Sequence, residues 1–372
     1  MVSHPKLVHG VTGLLASPFL SCVVAATIAA TCSTALPREL QYSVTRLFEF
    51  PDTTFVENIA IRRNGHILIT TFDRGRVYSI DPSEKPSPQA RLAATLPDAN
   101  AVTGIVETAP DVFIVTGGEL NQRAMRFDPQ SLRAFRLDFT SGELPAVVKT
   151  VARMPEELGL TMLNGMTAIP TSEHRGVVLA ADSEKGRIVR IDTGTGAVEV
   201  IIQDDMLSPG AGAWIPLGVN GIRVSQSSTD SAHNGAAHLY FTNSARHMIG
   251  RIPIDTGGHM LGAVEHVAST SHHLFPDDFA VESETGVSYL AVHPDLVLGV
   301  TSDGVQDILV QGLLEPSSVA LDPLTSNLYV VTGGSAARER MRGRNGGTGG
   351  QLLLITPVGG EHICSARPFT ST

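Results

Sequence analysis

From residue 42 onward, short apolar and β-branched runs are separated by polar turns, and the same unit recurs. The clearest copy opens with Val56-Glu57-Asn58-Ile59-Ala60-Ile61 and turns at Asn64-Gly65. A strongly β-prone strand from Ile67 to Thr71 follows, then a loop at Asp73-Arg74-Gly75 and a third strand from Arg76 to Asp81. The second copy places strands at Val102–Val106, Val112–Thr116 and Ala124–Asp128, and the third at Gly165–Ile169, Val177–Ala181 and Arg187–Asp192. The fourth runs Gly221–Val224, His238–Thr242 and Gly250–Asp255. The fifth runs Asp278–Val281, Ser288–Val292 and Leu296–Thr301, and the sixth Ser318–Leu321, Asn327–Thr332 and Gln351–Thr356.

Units recurring about every 40 to 60 residues are the pattern of propeller blades, each a four-stranded sheet. One blade cannot bury both of its faces alone, so the blades pack around an axis. The prediction is an all-β, six-bladed β-propeller over residues 36–372, its blades set around a central channel. Tyr42 to Phe50 is extended and precedes the first copy, so it should supply the outer strand of the last blade and close the ring. A two-sheet β-sandwich is the rival fold, and sixfold recurrence argues against it.

Composition agrees. Apolar residues make up 42% and charged residues 17%, with 36 Gly and 22 Pro, which points to many turns and away from a helical bundle. The net charge of -10 makes binding to a phosphate backbone, which rests on Lys and Arg contacts, a poor prospect. Nucleic acid is therefore set aside as a partner.

The first 35 residues differ from the rest. Lys6 with His4 and His9 gives a weakly positive start, an apolar stretch runs from Leu14 to Ala30, and Ser33-Thr34-Ala35 offers small residues before Leu36-Pro37. That is the layout of a signal peptide, residues 1–35, directing the chain to the secretory pathway, for secretion or a secretory compartment. The rival is an uncleaved anchor, but Gly13, Ser17, Pro18 and Ser21 interrupt the stretch. After cleavage no stable membrane association is expected, and the chain is expected to be a monomer. Of Cys22, Cys32 and Cys364, only the last would remain, so the mature chain would hold no internal disulfide. No Asn-x-Ser/Thr sequon occurs.

Propeller geometry locates the chemistry. The innermost strand of a blade starts at one face of the ring, and the turn between the second and third strands lies on that same face. Two sets of residues should therefore share one rim. Glu57, Asn164, Asn220 and Asp277 begin inner strands, and Asp73, Asp182, Asn243 and His293 lie in or beside the return loops. Two carboxylates and two carboxamides are hard oxygen donors suited to Ca²⁺ or Mg²⁺ and able to hold Zn²⁺. Taken singly, Asn-Gly and Asp are equally good turn formers. Their equivalent positions in several blades are what bring the metal reading level with that one.

This ring, with Asn164-Gly165, Asn220-Gly221 and Pro276-Asp277, resembles the senescence marker protein-30/gluconolactonase family. Those are six-bladed propellers in which a Glu, two Asn and an Asp hold a divalent metal in the channel mouth. The resemblance spans most of residues 42 to 360. It departs at two places: the family's Glu-Gly-Pro is Glu57-Asn58-Ile59 here, and its Pro-Asp-Gly is Pro276-Asp277-Asp278. The stretch Val56 to Arg62, followed by Asn64-Gly65 and a strand, together with the signal-like start, is more similar to a fungal branch of the superfamily found in natural-product pathways. That branch includes hetero-Diels-Alderases, which join a tropolone-derived o-quinone methide to a humulene-type sesquiterpene.

The resemblance implies an apolar small-molecule substrate and a reaction that requires no cofactor. Such a site needs a water-poor cavity that holds two partners in reacting geometry, and a few polar groups to polarise oxygens or assist loss of water. His273, His293 and Asn243 are candidate polar groups, with Glu57 or Asp277 as acid or base, although a His is more often a surface or packing residue. Asp73, Asp182 and Trp214 are candidate substrate contacts. Trp214, in the loop Asp204–Pro216, is an aromatic wall for a ligand or a packing residue between blades. The loop Gly333–Gly350, with Arg338, Arg340, Arg342 and Arg344 among glycines, is a lid over the mouth or a solvated insertion. Three functions stay open at this level: a pericyclase, a metal-dependent lactonase and a non-catalytic binding propeller. The pericyclase is the expectation carried forward.

Overall fold

The computed structural model describes residues 42–51, 54–170, 176–225, 237–335, 339 and 346–358. The proposed signal segment, Cys364 and Arg338, Arg340, Arg342 and Arg344 lie outside the described residues. Among those described, no helix is long and apolar enough to cross a membrane.

Six four-stranded antiparallel sheets form the predicted propeller. Their inner strands are Val56–Ile61, Ala101–Ala109, Leu163–Ala168, Val219–Ser225, Phe275–Val281 and Pro316–Leu321. We number the blades 1 to 6 in that order. Each neighbouring pair of blades packs face to face over buried aliphatic and aromatic side chains. The second strand of a blade is covered on both faces, which explains its unbroken apolar character: Ile67–Thr71 and Leu328–Thr332 are buried at every position. Outer strands have an edge in water and are accordingly mixed, as in Val147–Arg153.

Ring closure follows the prediction. Tyr42–Glu49 pairs with Gln351–Pro357, from Tyr42 opposite Pro357 to Glu49 opposite Gln351, and becomes the outer strand of blade 6. Hydroxyl groups tie consecutive blades at the channel. Thr70 donates to the Thr103 carbonyl (2.8 Å), Thr103 to the Leu163 carbonyl (2.8 Å), Thr242 to the Asp277 carbonyl and Ser317 to the Val56 carbonyl (2.9 Å). Inner strands approach so closely that a Cβ on Gly165 would lie 2.5 Å from the Asn220 carbonyl oxygen.

One strand differs from its expectation. The third strand of blade 2 is Arg133–Asp138, where Ala124–Asp128 was predicted. Arg126-Phe127 instead pairs with Leu120-Asn121 in a short hairpin. Pro129 has no N–H to give a ladder, whereas Arg133–Asp138 buries Ala134, Phe135 and Leu137 between blades.

Candidate active site at the channel mouth

The site is built by a repeated backbone irregularity. Near its start, every inner strand slips register against its neighbour. The slips fall between Val56 and Asn58, Val102 and Ile105, Leu163 and Met166, Val219 and Ile222, Pro276 and Phe279, and Pro316 and Ser318. A bulge bends the strand and re-aims the side chain it carries. The first residue inside each slip is Glu57, Thr103, Asn164, Asn220, Asp277 or Ser317, all buried, one from each blade.

Blades 4 and 5 hold the tightest cluster. Asp277 accepts hydrogen bonds from Asn220 Nδ2 at its Oδ1 (2.6 Å) and from His293 Nε2 at its Oδ2 (2.9 Å). His293 Nδ1 donates to Glu315 Oε2 at 2.7 Å. Carboxylates only accept, so an imidazole bonded to one through each nitrogen carries both protons and is an imidazolium. Burial opposes that charge, but the Asp277 and Glu315 carboxylates outweigh it and push His293 up to about 10.

Glu57 is 6% exposed. Burial holds its carboxyl well above the usual range, the Asp277 charge adds to this, and the His293 charge and a hydrogen bond with Asn164 oppose it. Burial also raises Asp277, against the His293 bond. Asp277 has a cation in direct contact and Glu57 does not, so of the two carboxyls Glu57 is pushed further toward its neutral form. The mouth thus contains a carboxyl whose burial favours the neutral form, beside an ion-paired imidazolium.

The two departures from the gluconolactonase pattern meet one layer deeper. Asn58 Nδ2 donates to Asp278 Oδ2 at 2.8 Å. Blade 6 separates blades 1 and 5, so this bond crosses the channel. Ser318 Oγ donates to Asn58 Oδ1 (3.1 Å), and Arg223 Nη2 donates to Asp278 Oδ2 (2.9 Å). Where the family pattern has glycine twice, this chain has a polar crossbar.

The register confirms that the inner-strand starts and the return loops share a face: Leu163 lies opposite Asp182, Val219 opposite Asn243 and Phe275 opposite His293. The return-loop residues have different surroundings. His293 joins the cluster. Asn243 donates to the carbonyls of Met206 and Ser208, both at 2.9 Å, and so pins the stem of the Asp204–Pro216 loop. Asp73 accepts from Tyr78 (2.7 Å) and Arg76 (3.3 Å) within blade 1. Asp182 is fully buried and bonded to Arg187, with burial pushing its carboxyl up to about 6. His273 is exposed. Trp214 is 85% exposed, and its ring is 5.9 Å from that of Phe275, at the start of the blade 5 inner strand. Phe55, stacked on Phe72 at 5.0 Å, precedes the blade 1 inner strand at the same face.

Glu315 was missed by the sequence reading. It stands just before Pro316-Ser317-Ser318, the start of the sixth inner strand, and the same face argument would have put it on the rim.

The ring fits a hard divalent cation in donor chemistry. Asn220 Oδ1 is buried without a hydrogen-bond partner, as a carbonyl ligand would be before its metal is counted. Among the described residues, no three His, Cys, Asp or Glu side chains converge closely enough to hold a metal by themselves, so the carboxamides would have to take part.

No family model matches the chain. In sequence it is 30% identical over 257 residues to "Putative hetero-Diels-Alderase asR5" of Sarocladium schorii, a match covering 62% of this chain and 59% of that relative. The chain therefore spans less than two thirds of that relative's length. It is 26% identical over 290 residues to a "Putative hetero-Diels-Alderase" of a Phoma species, covering 72% of this chain and 77% of the relative. In fold it is similar to a luciferin-regenerating enzyme (TM-score 0.59, 13% identity, 86% of this chain and 96% of that one). It is also similar to a protein described as a "putative gluconolactonase" (TM-score 0.54, 13% identity, 87% and 93%). The relatives in sequence are hetero-Diels-Alderases by name, and the likeness to the solved structures is one of fold.

Proposed function

We propose that this chain is a hetero-Diels-Alderase that joins a tropolone-derived o-quinone methide to a humulene-type sesquiterpene in tropolonic sesquiterpenoid biosynthesis. The observation that carries this reading is the buried Glu57 carboxyl, whose surroundings favour its neutral form, at a mouth rimmed by aromatic side chains, in a chain whose sequence relatives bear that name. The cycloaddition forms one C–O and one C–C bond and expels nothing, so the protein contributes alignment and polarisation. A neutral carboxylic acid donates a hydrogen bond to the heterodiene oxygen and draws electron density from the diene. The same group serves the preceding dehydration. Glu57 gives its proton to the departing hydroxyl of a hydroxymethyl-tropolone, and the carboxylate recovers a proton from the ring hydroxyl, so water is the only product lost. Asp277 and His293 form an ion pair that leaves the acid proton on Glu57. Phe55, Phe275 and Trp214 are apolar surface for the terpene. The reaction so written needs no cofactor.

The unpartnered Asn220 Oδ1 favours a second reading, a metal-dependent lactonase. Glu57, Asn164, Asn220 and Asp277 would hold the cation, which polarises a lactone carbonyl when bound. The deciding test is incubation of the purified protein with a hydroxymethyl-tropolone and a hydroxylated humulene, with and without chelator, followed by mass spectrometry. An adduct above the uncatalysed background and indifferent to chelator is expected. No adduct, with chelator-sensitive opening of simple lactones, would overturn the cycloaddition.

A further inference from the structure

The channel has a second mouth. Beyond the crossbar of Asn58, Asp278, Ser318 and Arg223, the inner strands diverge and enclose a cavity of about 490 Å³. Its walls come from all six blades and are mostly aliphatic, including Ile59, Ile105, Met166, Ala280 and Val319. That volume lies within the ~300–1,000 Å³ of small-molecule sites, and largely apolar walls with a few placed polar groups are their usual composition. In blades 1, 5 and 6 the lining residues follow Asn58, Asp278 and Ser318 along the chain, and Arg223 belongs to both, so the hydrogen bonds that cross the channel lie between this funnel and the Glu57–His293 cluster.

Charge defines what the funnel accepts. Arg223 lines it, with a side chain 22% exposed. Its charge is balanced by Asp278, which is 3% exposed at 2.9 Å. The guanidinium bonds Asp278, the Ile222 carbonyl (2.7 Å) and the Met166 carbonyl (3.3 Å). A guanidinium has five N–H groups, more than those three bonds use. Glu107, Glu282, Glu284 and Asp322 complete the lining. Three of them already brace local turns: Glu107 accepts from the Asp111 N–H, Asp322 from the Leu324 N–H, and Glu282 from the Thr285 hydroxyl. An acidic entrance in a chain of net charge -10 repels anions. A neutralised arginine offers a donor to an oxygen without demanding a negative charge.

We propose that this funnel is a second binding site, for a neutral, lipophilic small molecule whose hydroxyl or carbonyl oxygen accepts a hydrogen bond from Arg223. The site is independent of the reaction proposed at the other mouth. It is tested by equilibrium dialysis of the full-length protein against three probes that share one hydrocarbon: farnesol, farnesoic acid and farnesylamine. Ser283, exposed at the entrance, is changed to Cys. The folded Ser283→Cys protein is then capped with a pyrene maleimide, and wild-type protein treated identically controls for its own cysteines.

Saturable binding of about one farnesol per chain is expected, with the acid bound at least tenfold more weakly. Uncapped Ser283→Cys should bind as wild type, and capping should weaken farnesol at least tenfold while adduct formation at the other mouth is unchanged. Absence of saturable binding, insensitivity to the cap, or preference for the acid would overturn the site. Simultaneous loss of farnesol binding and adduct formation on capping would overturn its independence and make the funnel the reaction chamber. A protein that forms no adduct at all but shows cap-sensitive farnesol binding would defeat the cycloaddition reading and leave the funnel standing.

Discussion

Blades 1, 3, 4 and 5 and blades 2 and 6 use the same bulge for opposite purposes. In the first group the bulged residue is Glu57, Asn164, Asn220 or Asp277. In the second it is Thr103 or Ser317, whose hydroxyls bond the carbonyls of Leu163 and Val56 in the next blade. The backbone presents all six residues to the channel, and the side chain decides whether the position holds the ring together or faces a substrate. Substitutions in the two groups should therefore separate stability from activity.

Asp277→Ala has the largest expected effect because Asp277 belongs to both sides of this division. It pairs the part-buried His293 cation and receives Asn220. Glu315 still pairs the cation, so the loss is that of a hydrogen bond between charged groups, ~1.5–3 kcal/mol, read as a fall in unfolding free energy by urea denaturation, and adduct formation should fall with it. The pair also has a pH signature. The folded pKa of His293, about 10, is above its ordinary 6.5, so the folded state holds the proton more tightly. Its stabilisation is complete below about pH 6.5 and is lost as pH rises through about 10. The urea midpoint of the wild type should decline between pH 8 and pH 10.5 more steeply than that of His293→Gln. Parallel slopes would show that His293 is not held as the structure implies.

Glu57→Ala comes next and should act on turnover alone. Loss of a positioned acid costs ~10²–10⁴-fold in rate. The carboxyl it removes is disfavoured by burial, so the unfolding midpoint should hold or rise. A stable protein with full adduct formation would remove Glu57 from the mechanism. In blade 2 the expectation is the reverse. Thr103→Val deletes a buried hydroxyl bonded to the Leu163 carbonyl and to Thr116 Oγ1 at 3.0 Å. The unpaired carbonyl costs ~1–3 kcal/mol, while turnover per folded molecule should stay at the wild-type value.

The sequence carried the fold because a propeller repeats its evidence. Each short strand is ambiguous alone, but six copies of strand, turn and strand are not, and the closing strand Tyr42–Glu49 followed from the missing partner of blade 6. The ring of Glu57, Asn164, Asn220 and Asp277 was legible for the same reason. Features outside the repeat were harder to read. Ala124–Asp128 resembled a third strand, but Arg133–Asp138, beyond Pro129, holds that place in the sheet. Asn243 and Asp73 stood at equivalent return positions, but whether such a side chain faces the channel or braces its own loop depends on partners distant in sequence, Met206 and Ser208 for the former. Asn58 and Asp278 looked like two separate departures from a family pattern. They hydrogen-bond each other across 220 positions of sequence, a pairing that only the closed ring brings together.

The smallest effect is expected at Trp214, which distinguishes a ligand wall from a packing residue. At 85% exposure its ring contributes little to the folded state, so Trp214→Ala should leave the thermal midpoint unchanged. Its tilted contact with Phe275 sets the indole beside the inner-strand start that leads to Asp277. An aromatic contact with substrate is worth about 0.5–1.5 kcal/mol beyond the area it buries. Initial rates of adduct formation should accordingly show KM for the terpene raised roughly two- to twelvefold with kcat preserved, and Trp214→Phe should recover most of the loss. A fall in kcat at constant KM would mean that the indole acts in the transition state rather than in binding. No change in either constant would remove Trp214 from the site and leave the terpene to Phe55 and Phe275.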